Sequence, residues 1–322
     1  MSTGFQPLSI IYHQNYDIPV PKIHSFVGSK FSDLFNNLQK NYASSLNVIT
    51  PSSAHLDKLK QVHQIDYINK VEENELTKDY LRLINLPWSD RLRERSFLET
   101  EGTLLTAKEA LKNKIACHVG GGTHHAHYSY GYGFCVFNDL AYTAINLIEE
   151  KLVKNVLILD LDVHQGDGTI DICQNHSSIY TCSVHSNESF PFDKKKGWMD
   201  IGLPAEISDY DYLKTIEETL KKIKKQVTPD IVLYDALPNS LPRVGGIITS
   251  VIQTPLSHVN LRAIQDNVPN AYIANPLSND AISSLLGGYI YYKVENDRYE
   301  IREATLNEVN AWYEELRPTE SQ

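Results

Sequence analysis

Short apolar runs recur along this chain and alternate with stretches that carry helical spacing, and this alternation restricts the fold more than any other feature. PLSIIY (7–12), CHV (117–119) and the runs at 156–161, 179–184 and 231–234 read as strands. KFSDLFNNLQ (30–39) and the segments 96–112, 139–151 and 209–226 place apolar residues three and four apart, as helices do. Strands alternating with helices predict a parallel sheet with helices on both faces. Ligands of such sheets bind beyond the carboxyl ends of the strands. The loop after Val119, the charged stretch DLDVHQGDG (160–168) and the end of the 231–234 strand all lie there.

Beyond Ala236 the texture changes. LPNSLPRVGG (237–246) is punctuated by proline and glycine, and shorter β-rich runs (288–294, 299–302) and a helix near 307–316 follow. The 322 residues suffice for one large α/β domain or two smaller ones. A net charge of -10 argues against direct nucleic-acid binding. No apolar run approaches the roughly 20 residues that span a bilayer, and MSTGFQPLSIIYHQ lacks the pattern of a signal peptide. The four cysteines form no C-x-x-C pair, so reduced thiols in a cytoplasmic protein are expected.

Asp162 and His164 are two residues apart, so on an extended segment they point the same way and can share one divalent ion. A bare D-x-H describes a solvated loop equally well. GGGTHHA (120–126) adds adjacent histidines, His124 and His125, after a glycine run that allows close backbone approach. Such a pair suits acid–base work if a carboxylate orients each ring, and Asp160 and Asp167 are available.

GGGTHHAHYSYGYGFCVFND (120–139), joined to DLDVHQGDGT, resembles the zinc-dependent histone deacetylase superfamily, with its arginase-like α/β fold. IHSFVGSKF (23–31), VHQIDYI (62–68), SVHSNESFPF (183–192) and PDIVLYDA (229–236) extend the resemblance over about residues 8–236. SVHSNESFPF points to the class IV and bacterial deacetylase-like branch. The resemblance implies Zn2+ held by Asp162 and His164, a catalytic pair His124 and His125, and Asp160 and Asp167 as their orienting carboxylates. It implies Phe134 and Phe190 as walls of the acyl-lysine channel, and an acetylated lysine peptide or small acetylated amine as substrate. His118, His127, His176 and His185 are expected to be structural or surface residues.

Two departures from that family stand out. Where its third zinc ligand, an aspartate, is expected, this chain has Asn239, whose neutral oxygen is a poor zinc donor. Tyr289, after Gly287 and Gly288, imitates the family's oxyanion tyrosine, but its flanks differ and the match is read as chance. The tail resembles instead the phosphohistidine swivelling domain of phosphoenolpyruvate-utilising dikinases, through TPLSH (254–258) with Gly245, Gly246 and Arg262. That resemblance implies phosphorylation of His258 by a separate phosphotransfer partner. The expected organisation is therefore a C-terminally truncated deacetylase-like domain at 1–236, its parallel sheet incomplete, and a small β/α phosphohistidine-like domain at 237–322. The expected function is zinc-dependent removal of acetyl groups, impaired by loss of the third ligand. The alternatives are a phosphoryl carrier using His258 and a catalytically inactive chimeric or truncated homologue.

Overall fold

A parallel strand pair needs a crossover between its members, and in this chain helices supply most of them. The computed structural model describes residues 7–235, 247–249, 270–273, 279–285, 288–295 and 298–315. Asn239 and the TPLSH segment with His258 lie outside the described residues. In chain order the elements up to residue 235 are β1 (Leu8–Ile11), α1 (Lys30–Tyr42), β2 (Leu46–Ile49), α2 (Leu56–Leu59), α3 (Ile65–Glu72), α4 (Lys78–Ile84), α5 (Asp90–Asn113) and β3 (Ala116–His118). After these come α6 (Asp139–Glu149), β4 (Val156–Asp160), α7 (Asp167–Cys173), β5 (Ile179–Ser186), β6 (Met199–Leu203), α8 (Asp209–Gln226) and β7 (Ile231–Asp235). The chain divides into a first unit, Met1–Ile207 with Lys214–Leu237, and a second, Ser208–Leu213 with Pro238–Gln322.

The first unit is α/β, and every strand pair in it is parallel. The hydrogen-bonded ladder is in two pieces rather than one, with strand orders β2-β1-β3 and β6-β5-β4-β7. Among the described residues no ladder joins β3 to β7. A cavity of about 460 Å³ is lined by residues of both strands, Ala116 to His118 on one side and Ile231 to Tyr234 on the other. β4 is buried along its whole length, which is why it reads as an unbroken apolar run ending in a carboxylate. Its register pairs Asp160 with Ser183 of β5 and with Asp235 of β7, so β4 and β7 end level while β5 runs on to Ser186.

The 24-residue α5 begins six residues before the expected start at 96. Ser89 caps it, its hydroxyl accepting the Leu92 N–H at 3.1 Å. The polar string RLRER hides this first turn, because Leu92 and Arg95 are both turned inward and buried. β2 and β6 escape notice in the sequence for a different reason. Both are sheet-edge strands with mostly half-exposed residues, so neither shows a strong apolar pattern.

In the second unit, β8 (Ile247–Thr249) and β9 (Asn270–Tyr272) pair in parallel, α9 (Asp280–Ser283) follows, and β10 (Ile290–Glu295) and β11 (Arg298–Glu303) form an antiparallel hairpin. The last helix, α10 (Leu306–Glu315), opens on a capping box in which the Thr305 hydroxyl accepts Glu308 N–H and the Glu308 carboxylate accepts Thr305 N–H. Tyr289 is 55% exposed beside this hairpin. All four cysteines are thiols, and burial pushes Cys173 and Cys182 up to about 12. Among the described residues no helix is long and apolar enough to cross a membrane.

Candidate active site

The loop between β3 and α6 carries His124 and His125, and a buried carboxylate shapes it. Asp139, at the start of α6, accepts hydrogen bonds from Gly122 N–H (2.9 Å), Thr123 N–H (2.7 Å), the Thr123 hydroxyl (2.7 Å) and the Thr103 hydroxyl (2.5 Å). Gly121 has φ +77°, and a Cβ there would collide with Asp139 Oδ2, so both the turn and the close approach require glycine. Asn138 caps α6 through Ala141 N–H at 2.9 Å. Its amide also donates to the carbonyls of His124 (3.3 Å) and Ala126 (3.0 Å). The segment FND thus holds the histidine loop from one side.

The paired imidazoles lie with ring centroids 4.1 Å apart. His124 Nδ1–H donates to Asp160 Oδ2 at 2.7 Å, and His125 Nδ1–H donates to Asp167 Oδ1 at 2.6 Å. Both histidines and both aspartates are buried. With Nδ1 engaged, proton exchange by either ring runs through Nε2. Burial and the neighbouring imidazoles lower the pKa of His125, against the pull of Asp167, so the neutral ring is favoured.

Asp162 and His164 follow Asp160 at the end of β4. His164 Nδ1 and Asp162 Oδ1 are 2.9 Å apart, and the His164 backbone N–H donates to the same oxygen at 2.8 Å. Oxygen and nitrogen therefore converge as two ligands of one small cation must. No third histidine, cysteine, aspartate or glutamate completes a metal-holding group among the described residues. The pair fits two of the three protein ligands of a catalytic zinc.

One cavity of about 440 Å³ is lined by His124, His125, Asp162, His164, Phe134 and Phe190, with Asp160 and Asp167 behind the histidines. Phe190 meets His125 edge-on at 4.9 Å between centroids, and Phe134 meets Phe26 at 5.7 Å. All eight described site residues thus gather in one place.

Several contributors were not legible as site residues. His127, expected to be a structural or surface residue, is buried and shares the orienting carboxylate: its Nε2 is 3.0 Å from Asp167 Oδ2 and its Nδ1 3.1 Å from Asp171 Oδ2. Burial alone would lower its pKa, but those two carboxylates raise it. Tyr132 packs on Phe190 with centroids 4.8 Å apart. His118 sits in a half-buried chain of hydrogen bonds, accepting from the Tyr16 hydroxyl at Nε2 (2.7 Å) and facing the Thr103 hydroxyl through Nδ1 (2.9 Å). The one sequence signal for Asn138 and Asp139 is their position ahead of an apolar helical run, where such residues cap helices.

His63 ties the loop to α3 and makes stability pH-dependent. Its Nδ1–H donates to the His127 carbonyl and its Nε2 accepts Asn138 N–H, both at 2.9 Å, so a second proton has no place. Burial lowers its pKa from 6.5 to about 4. Between those values the unfolded chain binds a proton that the native state refuses, so stability falls as pH falls through this window. The full effect is about 3 kcal/mol. The melting temperature is expected to drop steadily from pH 7 to pH 5, and His63→Gln to flatten that slope. An unchanged slope in the variant would refute the assignment.

A family profile described as histone deacetylase domain matches residues 24–238. An uncharacterised protein of Picosynechococcus sp. is 38% identical over 233 residues, 70% of this chain and 76% of that one. Histone deacetylase 2 of Arabidopsis thaliana is 26% identical, over 71% of this chain and 62% of its own length. The acetoin utilization protein AcuC of Staphylococcus aureus is 28% identical, over 78% and 68%. Among solved structures, an HDAC homologue from Aquifex aeolicus superposes with a TM-score of 0.60 at 25% identity, covering 71% of this chain and 68% of that one. An HDAC homologue complexed with SAHA superposes at 0.59 with 24% identity, over 71% and 68%.

Proposed function

Since the chain belongs to the histone deacetylase family, we propose that its first unit is a zinc-dependent amidohydrolase removing acetyl groups from acetyl-lysine or a related acetylated amine. The observation that carries this reading is the pair of imidazole–carboxylate dyads, 4.1 Å apart, in one cavity with Asp162 and His164. Asp162 and His164 would hold the metal, and the sequence resemblance supports Asn239 as the residue standing where the family's third ligand is expected. When bound, zinc polarises the amide carbonyl and acidifies water. The protein's own part is proton traffic and placement. One Nε2 of the His124/His125 pair takes the proton of the attacking water, and the pair returns a proton to the departing lysine nitrogen. Asp160 and Asp167 keep both rings in the Nδ1–H tautomer, and the walls at Phe134 and Phe190 confine the acyl-lysine stem.

The test is acetate release from an acetyl-lysine peptide alongside calorimetric zinc titration of the metal-stripped protein. One zinc per chain is expected, with activity lost on chelation, unchanged far-UV circular dichroism and recovery on zinc addition. Asn239→Asp is expected to tighten zinc and raise turnover, since a carboxylate replaces a neutral oxygen. Release that ignores chelation, or none with zinc bound to wild type and N239D alike, would refute the reading; the second result would favour an inactive homologue.

For the second unit, the TPLSH segment supports a phosphoryl-carrier reading with His258 as acceptor. Acid-labile phosphate that disappears in His258→Ala, after incubation with a phosphoenolpyruvate-utilising dikinase lacking its own carrier histidine, is the expected result. Absence of label would count against it.

A further inference from the structure

The cavity that holds the dyads has a second chemical character. Lys30 and Arg95 also line it. The Lys30 ammonium stands 4.5 Å from the centre of the Phe26 ring and 5.1 Å from that of Phe31. The Arg95 guanidinium lies 5.4 Å and 4.6 Å from the same two rings. Two cations therefore converge on one aromatic pair.

Arg95 is only 2% exposed, and its Nε and Nη1 have no hydrogen-bond partner. Its Nη2 meets Glu99 Oε2 at 2.7 Å. Glu99 is a weak counter-charge, because burial and Asp139 push its carboxyl up to about 7 against the opposing pull of Arg95. Lys30, an exposed residue whose ammonium lies against the Phe26 and Phe31 rings, is pushed down by the desolvation there and by Arg95. A buried guanidinium offering two unpaired donors, with an ammonium beside it, is the arrangement that a carboxylate completes in bidentate fashion. The acetyl group, being neutral, leaves those donors unpaired.

We propose that Lys30 and Arg95 form a carboxylate subsite within the active-site cavity, selecting short dicarboxylic acyl groups on lysine such as malonyl, succinyl or glutaryl. This rests on the amidohydrolase reading of the same cavity and narrows its substrate class. The reaction remains a hydrolysis: water oxygen joins the acyl carbon, the C–N bond breaks, and the lysine nitrogen leaves with a proton. The products are a dicarboxylic acid and the amine. The acid released by any deacylation also carries a carboxylate, so the experiment separates the two sources.

The zinc-loaded enzyme is assayed on peptides of one sequence carrying acetyl-, malonyl-, succinyl- or glutaryl-lysine. Binding of the same peptides to metal-stripped protein is followed by fluorescence anisotropy. At least one dicarboxylic acyl group is expected to exceed acetyl by about tenfold or more in kcat/KM and in affinity. Lys30→Met, and Arg95→Met combined with Glu99→Gln so that no ion-pair partner is stranded, should each bring the ratio towards one. Loss of that ratio in the variants, with circular dichroism unchanged, separates recognition from unfolding. Equal or better use of acetyl-lysine overturns the subsite and leaves the hydrolase reading standing. The subsite is overturned in the same way if the variants only relieve inhibition by added acetate, since the donors would then serve the released acid. Tighter binding of a dicarboxylic peptide without turnover of any peptide upholds the subsite and defeats the hydrolase reading.

Discussion

His125→Ala is expected to lower kcat/KM on the best acyl-lysine peptide by about 10²–10⁴-fold, the range for removing a positioned acid–base group. The protein should remain folded, because Asp167 keeps His127 as a partner at 3.0 Å when the 2.6 Å bond to His125 is lost. That shared carboxylate separates a chemical from a structural role. His127→Gln removes the other partner of Asp167 and leaves His125 in place, so its loss of activity should be much smaller. Steady-state kinetics on both variants, with melting temperatures, checks this. A His125→Ala enzyme keeping more than about a tenth of wild-type activity would remove His125 from the proton path.

Asp139→Ala should be the most damaging single change to the first unit. The carboxylate receives four hydrogen bonds, from the backbone of Gly122 and Thr123 and from the hydroxyls of Thr103 and Thr123. Truncation leaves buried donors without an acceptor, each at a cost of about 1–3 kcal/mol. Spread over these groups, the melting temperature is expected to fall by about 10 °C or more. Activity should fall further than stability, since the same loop carries His124 and His125. Asp139→Asn sharpens the point: it preserves volume but turns an amide donor towards the N–H groups of the loop, so it should rescue only in part. A melting temperature within about 2 °C of wild type in the alanine variant would show that the loop is held by other means.

How much could be read from the chain alone differs between parts of the site. His124, His125, Asp162 and His164 are legible because they stand in two short segments, each next to an apolar strand that must end there. Their joint placement in one cavity, with Phe134 and Phe190, follows from loops that leave the carboxyl ends of parallel strands, although β3 and β4 belong to different ladders. Arg95 was not legible. Within RLRER it reads as one more solvated charge, and only the packing of α5 against Phe26 and Phe31 buries it. His127 looked like a spare histidine because its two carboxylate partners lie 40 and 44 residues away. The division of the parallel strands into two ladders was not legible, since strand patterns record which residues are apolar and not which neighbour pairs with them.

Local order in the chain determined the alternation of strands and helices, the glycine turn before the paired histidines and the spacing of Asp162 and His164. These depend on residues within a few positions of one another, where backbone conformation and side-chain period suffice. Tertiary structure decided which carboxylate orients which imidazole, that Asp139 anchors the loop, and that Arg95 and Lys30 share the cavity with the dyads. Those pairings join segments tens of residues apart, and burial is what gives a hydrogen bond or a charge its strength there. A charged residue in a string of letters carries no record of whether water or protein surrounds it.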